Sequence, residues 1–113
     1  MKIAIIGTRT IFVDNIADYL DNDCDEIVSG GAKGIDTQAA NLAKEKGIAL
    51  TEFLPNYKRY GRAAPLIRNK EIVDYADKVL AFWDGKSKGT ANTIDIFKKL
   101  NKKVTVIIEN HKK

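Results

Sequence analysis

The chain has 113 residues, 44% of them hydrophobic and 30% charged, an ordinary globular composition with enough length for one compact core, read as a single domain spanning residues 1–113. No apolar run approaches the roughly 18 residues that cross a bilayer, and Met1 leads directly into Lys2-Ile3-Ala4-Ile5-Ile6 without the parts of a secretory signal, so a cytoplasmic location with no membrane partner is expected. The net charge of +4 is uneven: residues 1–56 carry five Lys/Arg against nine Asp/Glu, whereas residues 57–113 carry fourteen against six, a basic half able to face an anion or simply to solvate the surface.

In chain order, short β-branched runs alternate with segments of helical periodicity, the pattern of βαβ units around a parallel sheet. The first strand is expected over 2–6, followed by a helix over about 12–20, where Phe12, Ile16 and Leu20 recur every fourth residue. A second strand over 26–29 runs into Gly30-Gly31-Ala32-Lys33-Gly34 and a helix over 35–46, in which Ile35, Ala39, Leu42 and Ala43 share a face and Gly47 supplies the stop. A third strand over 48–54 opens into the longest irregular stretch, 55–64, a candidate lid, before Pro65 starts a helix carrying Leu66, Ile67, Ile72, Val73 and Ala76. The fourth strand, 78–83, ends in Asp84-Gly85-Lys86-Ser87-Lys88-Gly89-Thr90, from which a helix runs to about Leu100, and a fifth strand follows over 104–108. The expected fold is therefore α/β, a single Rossmann-like three-layer domain with a mostly parallel sheet of about five strands.

Right-handed crossovers bring the loops after all strands to one sheet edge, so the Gly7, Gly30, 55–64 and Gly85 segments should converge. With strand order 3-2-1-4-5, the crevice lies between strands one and four. In Ser29-Gly30-Gly31-Ala32-Lys33-Gly34-Ile35-Asp36 the glycines permit close backbone approach to an anion at a helix start, or merely a tight turn with a cap. Asp36 suits a ribose hydroxyl or the positive end of its helix. The Asp84–Thr90 string adds Ser87, Thr90 and two lysines at a second helix start; the bland alternative makes Thr90 an ordinary N-cap. Arg9 in Gly7-Thr8-Arg9 can pair bidentately with phosphate or form a surface ion pair. Arg68 and Asn69 stand where they can close over a ligand, or serve as a solvated helix residue and a local hydrogen-bonding group.

Tyr57, Lys58, Arg59, Tyr60 and Arg62 interleave rings and cations, suited to stacking on bases or to packing the loop down. Trp83 is assigned to core packing first and base stacking second. Neither glycine loop is GxxxxGK[ST], and Gly7-Thr8-Arg9-Thr10 is not GxGxxG, which disfavours a P-loop ATPase and a typical NAD-dependent dehydrogenase. Cys24 stands alone among carboxylates and is expected to be inert; His111 stands alone in the tail, so zinc clusters and Ser-His-Asp or Cys-His catalysis are not expected. Neither a cofactor nor a metal is called for by these residues.

Gly7-Thr8-Arg9, Ser29-Gly30-Gly31-Ala32-x-Gly34-Ile35-Asp36, Arg68-Asn69 and Trp83-Asp84-Gly85-x-Ser87-x-Gly89-Thr90, in this order along nearly the whole chain, resemble the SLOG superfamily of Smf/DprA and Lonely Guy proteins. They look most like Smf/DprA and the small stand-alone YspA/YpsA-like members. The resemblance implies a Rossmann-like domain, often a homodimer, whose loops bind a nucleotide or nucleotide-derived small molecule; in DprA a related surface serves single-stranded nucleic acid. Lonely Guy enzymes are phosphoribohydrolases with a glutamate shortly after the Gly-Thr pair, where this chain has Asn92 and Thr93, so a hydrolase is an alternative for which no catalytic residue is named. The resulting expectation is nucleotide-phosphate binding or sensing, with hydrolysis and single-strand binding as alternatives.

Overall fold

The computed structural model describes residues 1–31 and 34–108; Ala32 among the expected site residues, and His111, lie outside them. Strands β1 (Lys2–Gly7), β2 (Glu26–Ser29), β3 (Ala49–Glu52), β4 (Lys78–Trp83) and β5 (Lys103–Ile108) form one sheet in the order β3-β2-β1-β4-β5. Every neighbouring pair is parallel. Helices α1 (Ile35–Lys46), α2 (Tyr57–Tyr60), α3 (Ala64–Tyr75) and α4 (Lys88–Lys99) complete a Rossmann-like α/β fold. Among the described residues no helix is long and apolar enough to cross a membrane.

The central strands are continuous apolar runs because both of their faces are covered. Ile3, Ile5, Ile27, Leu80 and Phe82 point to one layer, against Ile35, Ala39, Leu42 and Ala43 of α1 and against Ile11, Val13 and Ile16. Ala4, Ile6, Val28, Val79 and Ala81 point to the other, against Ile72 and Val73 of α3 and Ile94 and Phe97 of α4. The alanines of α1 carry no side chain beyond Cβ, so that helix lies close on the sheet.

Helix ends follow local chemistry. α1 stops at Gly47, whose φ of 69° is left-handed, while the amides of Gly47 and Ile48 donate to the carbonyls of Lys44 and Ala43, a Schellman arrangement. Pro65 stands at the start of α3, where its missing N–H costs nothing. At the far end of α3 the Lys102 ammonium donates to the carbonyls of Val73 (2.6 Å) and Ala76 (2.8 Å), satisfying acceptors that the ending helix leaves open.

Three elements differ from expectation. The helix expected over 12–20 is only a 3-10 turn, Ile16–Tyr19. Ile11 and Val13 are buried while Phe12 is 70% exposed, an alternation of period two, and the Gln38 side chain holds Val13 extended by accepting from its amide (3.0 Å) and donating to its carbonyl (2.6 Å). Strand β3 is shorter than 48–54: the Phe53 amide still reaches the Ser29 carbonyl, but Leu54 leaves the sheet and is exposed. The stretch 55–64 is not irregular, because Asn56 accepts from the Arg59 amide (3.1 Å) and starts α2, which passes through a second 3-10 turn, Gly61–Ala63, into α3.

Candidate functional site at the sheet switch point

β1 and β4 are neighbours whose outgoing connections turn to opposite sides, so a crevice opens above their C-terminal ends. Its first wall is the turn after β1. The Thr8 amide donates to the Phe82 carbonyl (3.0 Å), and the Thr8 hydroxyl accepts from the Asp84 amide (3.3 Å), tying the β1 and β4 loops together. Gly7 is required by packing: a Cβ there would lie 2.4 Å from Ile35 Cγ1 and 2.7 Å from the Phe82 carbonyl. Gly34 has φ +74° and abuts the Arg9 backbone, where a Cβ would lie 2.5 Å from the carbonyl oxygen. These contacts seat the first turn of α1 against the β1 loop.

The second wall joins β2 to α3. Arg68 lies across Gly30, donating from Nη1 to its carbonyl (2.8 Å) and from Nε to Asn69 Oδ1 (3.0 Å). Asn69 is buried and donates onward to Asn92 Oδ1 (3.3 Å), linking Arg68 to α4 through one amide. A Cβ on Gly30 would fall 2.6 Å from Arg68 Nη1 and 3.0 Å from Asp36 Oδ2, which places a guanidinium and a carboxylate together over a bare backbone. Asp36 itself is 7% exposed.

The third wall is the start of α4. Asp84 Oδ1 accepts from the amides of Lys86 and Ser87, both at 2.8 Å, and these bonds hold its carboxyl below the usual carboxylate range. Trp83 Nε1 donates to the Ser87 carbonyl (3.0 Å), pinning the same turn from beneath. The N-cap, Ser87, makes no side-chain capping bond, and Ser87, Gly89 and Thr90 line the cleft. The first amides of α4 are therefore left for whatever enters.

Together these walls enclose a cleft of about 360 Å³, within the range of small-molecule sites. From the β1 and β2 ends it includes Gly7, Thr8, Arg9, Gly30 and Asp36; from α3 and α4 it includes Arg68, Asn69, Ser87, Gly89 and Thr90. The other expected site residues among those described stand beside the cleft without lining it. Ser29 is fully buried and accepts from the Gly31 amide; Gly31 and Gly85 have positive φ at turns; Gly34 and Asp84 are occupied as described above. Thr90 is a buried residue inside α4, whose N-cap is Ser87, so the N-cap assignment fails for it.

Thr10, Pro65, Ile72 and Thr93 also line the cleft and were not anticipated, although Thr93 follows Thr90 by three residues and Ile72 follows Asn69 by three, spacings that share a helix face. Arg59 and Tyr60 line a separate neighbouring cleft, with the Arg59 guanidinium 5.3 Å from the Tyr60 ring centre. Trp83 packs with the α3/α4 layer and lines neither cleft. Among the described residues no group of three or more His, Cys, Asp or Glu could hold a metal ion.

Fold and crevice together define a Rossmann-like α/β domain with a cation-bearing cleft at its topological switch point. Comparison of the chain with protein-family models, curated proteins and solved structures gives no match.

Proposed function

We propose that this chain is a SLOG-like domain whose switch-point cleft binds the phosphate of a nucleotide or nucleotide-derived ligand. The observation that carries the reading is the convergence of Arg9, Arg68 and the uncapped start of α4 on one cleft whose wall, among the described residues, has a single carboxylate, Asp36. The cations and the helix start favour an anion, and Arg68, already oriented by Gly30 and Asn69, still has three of its five N–H donors for a phosphate. Asp36, beside Gly30, is suited to accept from a ribose hydroxyl. Binding is favoured over hydrolysis because glycosidic cleavage ordinarily uses two carboxylates, and the α4 face presents Thr93 to the cleft and Asn92 to Asn69.

The test is a thermal-unfolding panel with AMP and ribose 5-phosphate on the wild-type chain and on Gly89→Asp. Nothing lies within 4 Å of a Cβ at Gly89, and an acid in the first turn favours a helix, so the variant should fold at least as well while placing negative charge at the phosphate position. Ligand at 100-fold over its dissociation constant adds about 2.7 kcal/mol, a shift of order 10 °C for a domain of this size. The expected result is that shift in the wild type and its loss in Gly89→Asp. No shift in the wild type, or an undiminished shift in the variant, refutes the proposal.

A further inference from the structure

A second cleft of about 320 Å³ adjoins the first, and Arg68 lines both. Its wall combines the end of β3 with α2 and the outer face of α3. The two clefts differ in charge. In the first, Arg9 and Arg68 outnumber Asp36; in the second, Glu52 and Glu71 balance Arg59 and Arg68. The first is built for an anion, the second for a neutral but polar group.

The clefts meet at Arg68 and flank the Gly30–Gly31 turn. Gly30 lines the first, while a Cβ on Gly31 would strike Leu54 Cδ2 at 2.1 Å and lie 3.8 Å from Glu52 Oε2, two residues that line the second. Arg68 spends Nε and Nη1 on Asn69 and Gly30. Among the described residues neither Glu52 nor Glu71 has an ion pair or side-chain hydrogen bond, so both carboxylates present acceptors. Arg59 over the Tyr60 ring supplies a flat, cationic surface beside them.

Resting on the phosphate-site reading above, we infer that the second cleft holds the base of the same ligand and selects a base with an exocyclic amine, such as adenine or guanine, over uracil. An exocyclic amine offers N–H donors to a carboxylate. Uracil offers one N–H flanked by two carbonyl oxygens that a carboxylate repels. Arg59 disfavours a simple cationic amine as occupant.

Calorimetric titration of the chain with ribose 5-phosphate, AMP, GMP and UMP at fixed ionic strength tests this, in the wild type and in the exposed-site double variant Glu52→Gln/Glu71→Gln. One charge-assisted hydrogen bond corresponds to about tenfold in affinity, so AMP or GMP should bind about tenfold more tightly than UMP and ribose 5-phosphate. In the double variant that preference should collapse while ribose 5-phosphate binds at least as tightly, since two negative charges have been removed near Arg68. Ribose 5-phosphate binding without any base preference, or a preference that survives the double substitution, overturns the base-site inference alone. No binding of any of the four overturns the phosphate-site reading and this inference with it.

Discussion

Gly7→Ala places a methyl group at the junction of β1, β4 and α1, and the structure fixes how badly it fits. The added Cβ would meet Ile35 Cγ1 at 2.4 Å, Ile35 Cβ at 2.7 Å and the Phe82 carbonyl oxygen at 2.7 Å. Unstrained carbon–carbon contacts lie near 3.5–4.0 Å, so the shortfall to Cγ1 is about 1 Å or more. Neither neighbour can yield cheaply. Ile35 is fully buried, and the Phe82 oxygen accepts from Thr8 while its residue pairs in register with Gly7. Overpacking typically costs about 1–3 kcal/mol, and the rigidity on both sides puts this case at about 3 kcal/mol. For a domain of this length that lowers the melting temperature by about 12 °C. Urea and thermal unfolding of Gly7→Ala, Ile35→Ala and the double variant make the assay: Ile35→Ala alone opens a cavity, but combined with Gly7→Ala it removes the closest clash, so the double variant should lose less than the two single losses together. A Gly7→Ala loss below about 0.5 kcal/mol, or strict additivity, would refute the packing argument.

Lys102→Met should remove the ammonium that holds the end of α3 and destabilise the chain by about 2 kcal/mol, whereas an unchanged urea midpoint would mean that water replaces it without loss. Acid stability should depend on Glu26, whose carboxylate accepts from the Thr51 and Tyr75 hydroxyls and is thereby held below its ordinary range. A depressed folded-state value means that its contribution is complete above the unfolded value near 4 and is lost as the pH falls through the folded one, so Glu26→Gln should lower stability at pH 7 and flatten the acid limb of a melting-temperature profile. Burial pushes the Cys24 thiol up, so iodoacetamide at pH 8 should modify the native chain more slowly than the same chain in denaturant, and equal rates would show the thiol to be accessible.

The central strands and their parallel setting are legible in the sequence because strands covered on both faces leave unbroken apolar runs such as residues 3–6 and Val79, Leu80, Ala81 and Phe82, whereas the order of the strands is not written in those runs. The segment 12–20 misleads because Phe12, Ile16 and Leu20 match a helical repeat by coincidence. What decides its conformation is Gln38, 25 residues beyond Val13, whose amide replaces the backbone partners a helix would have supplied. A long-range side-chain clamp leaves no local periodicity to read. Asp84 is the reverse case: its bonds to the amides two and three residues on are a local turn preference of Asp before Gly, visible in the sequence itself.

The glycines show why a site can be located from sequence more readily than it can be partitioned. Gly7, Gly30, Gly34 and Gly89 all stand at strand ends or helix starts, yet the space beside each differs. At Gly7 and Gly34 a Cβ would strike Ile35 and the Arg9 carbonyl; at Gly30 it would strike the Arg68 guanidinium; at Gly89 it would meet nothing within 4 Å. The first two are therefore needed for the fold, the third for the position of a cation, and the fourth leaves room at an uncapped helix start. Substitutions at these four positions should consequently separate: loss of stability at Gly7 and Gly34, displaced Arg68 at Gly30, and altered binding with an intact fold at Gly89. Only the last leaves the scaffold untouched, which is why it carries the test of function.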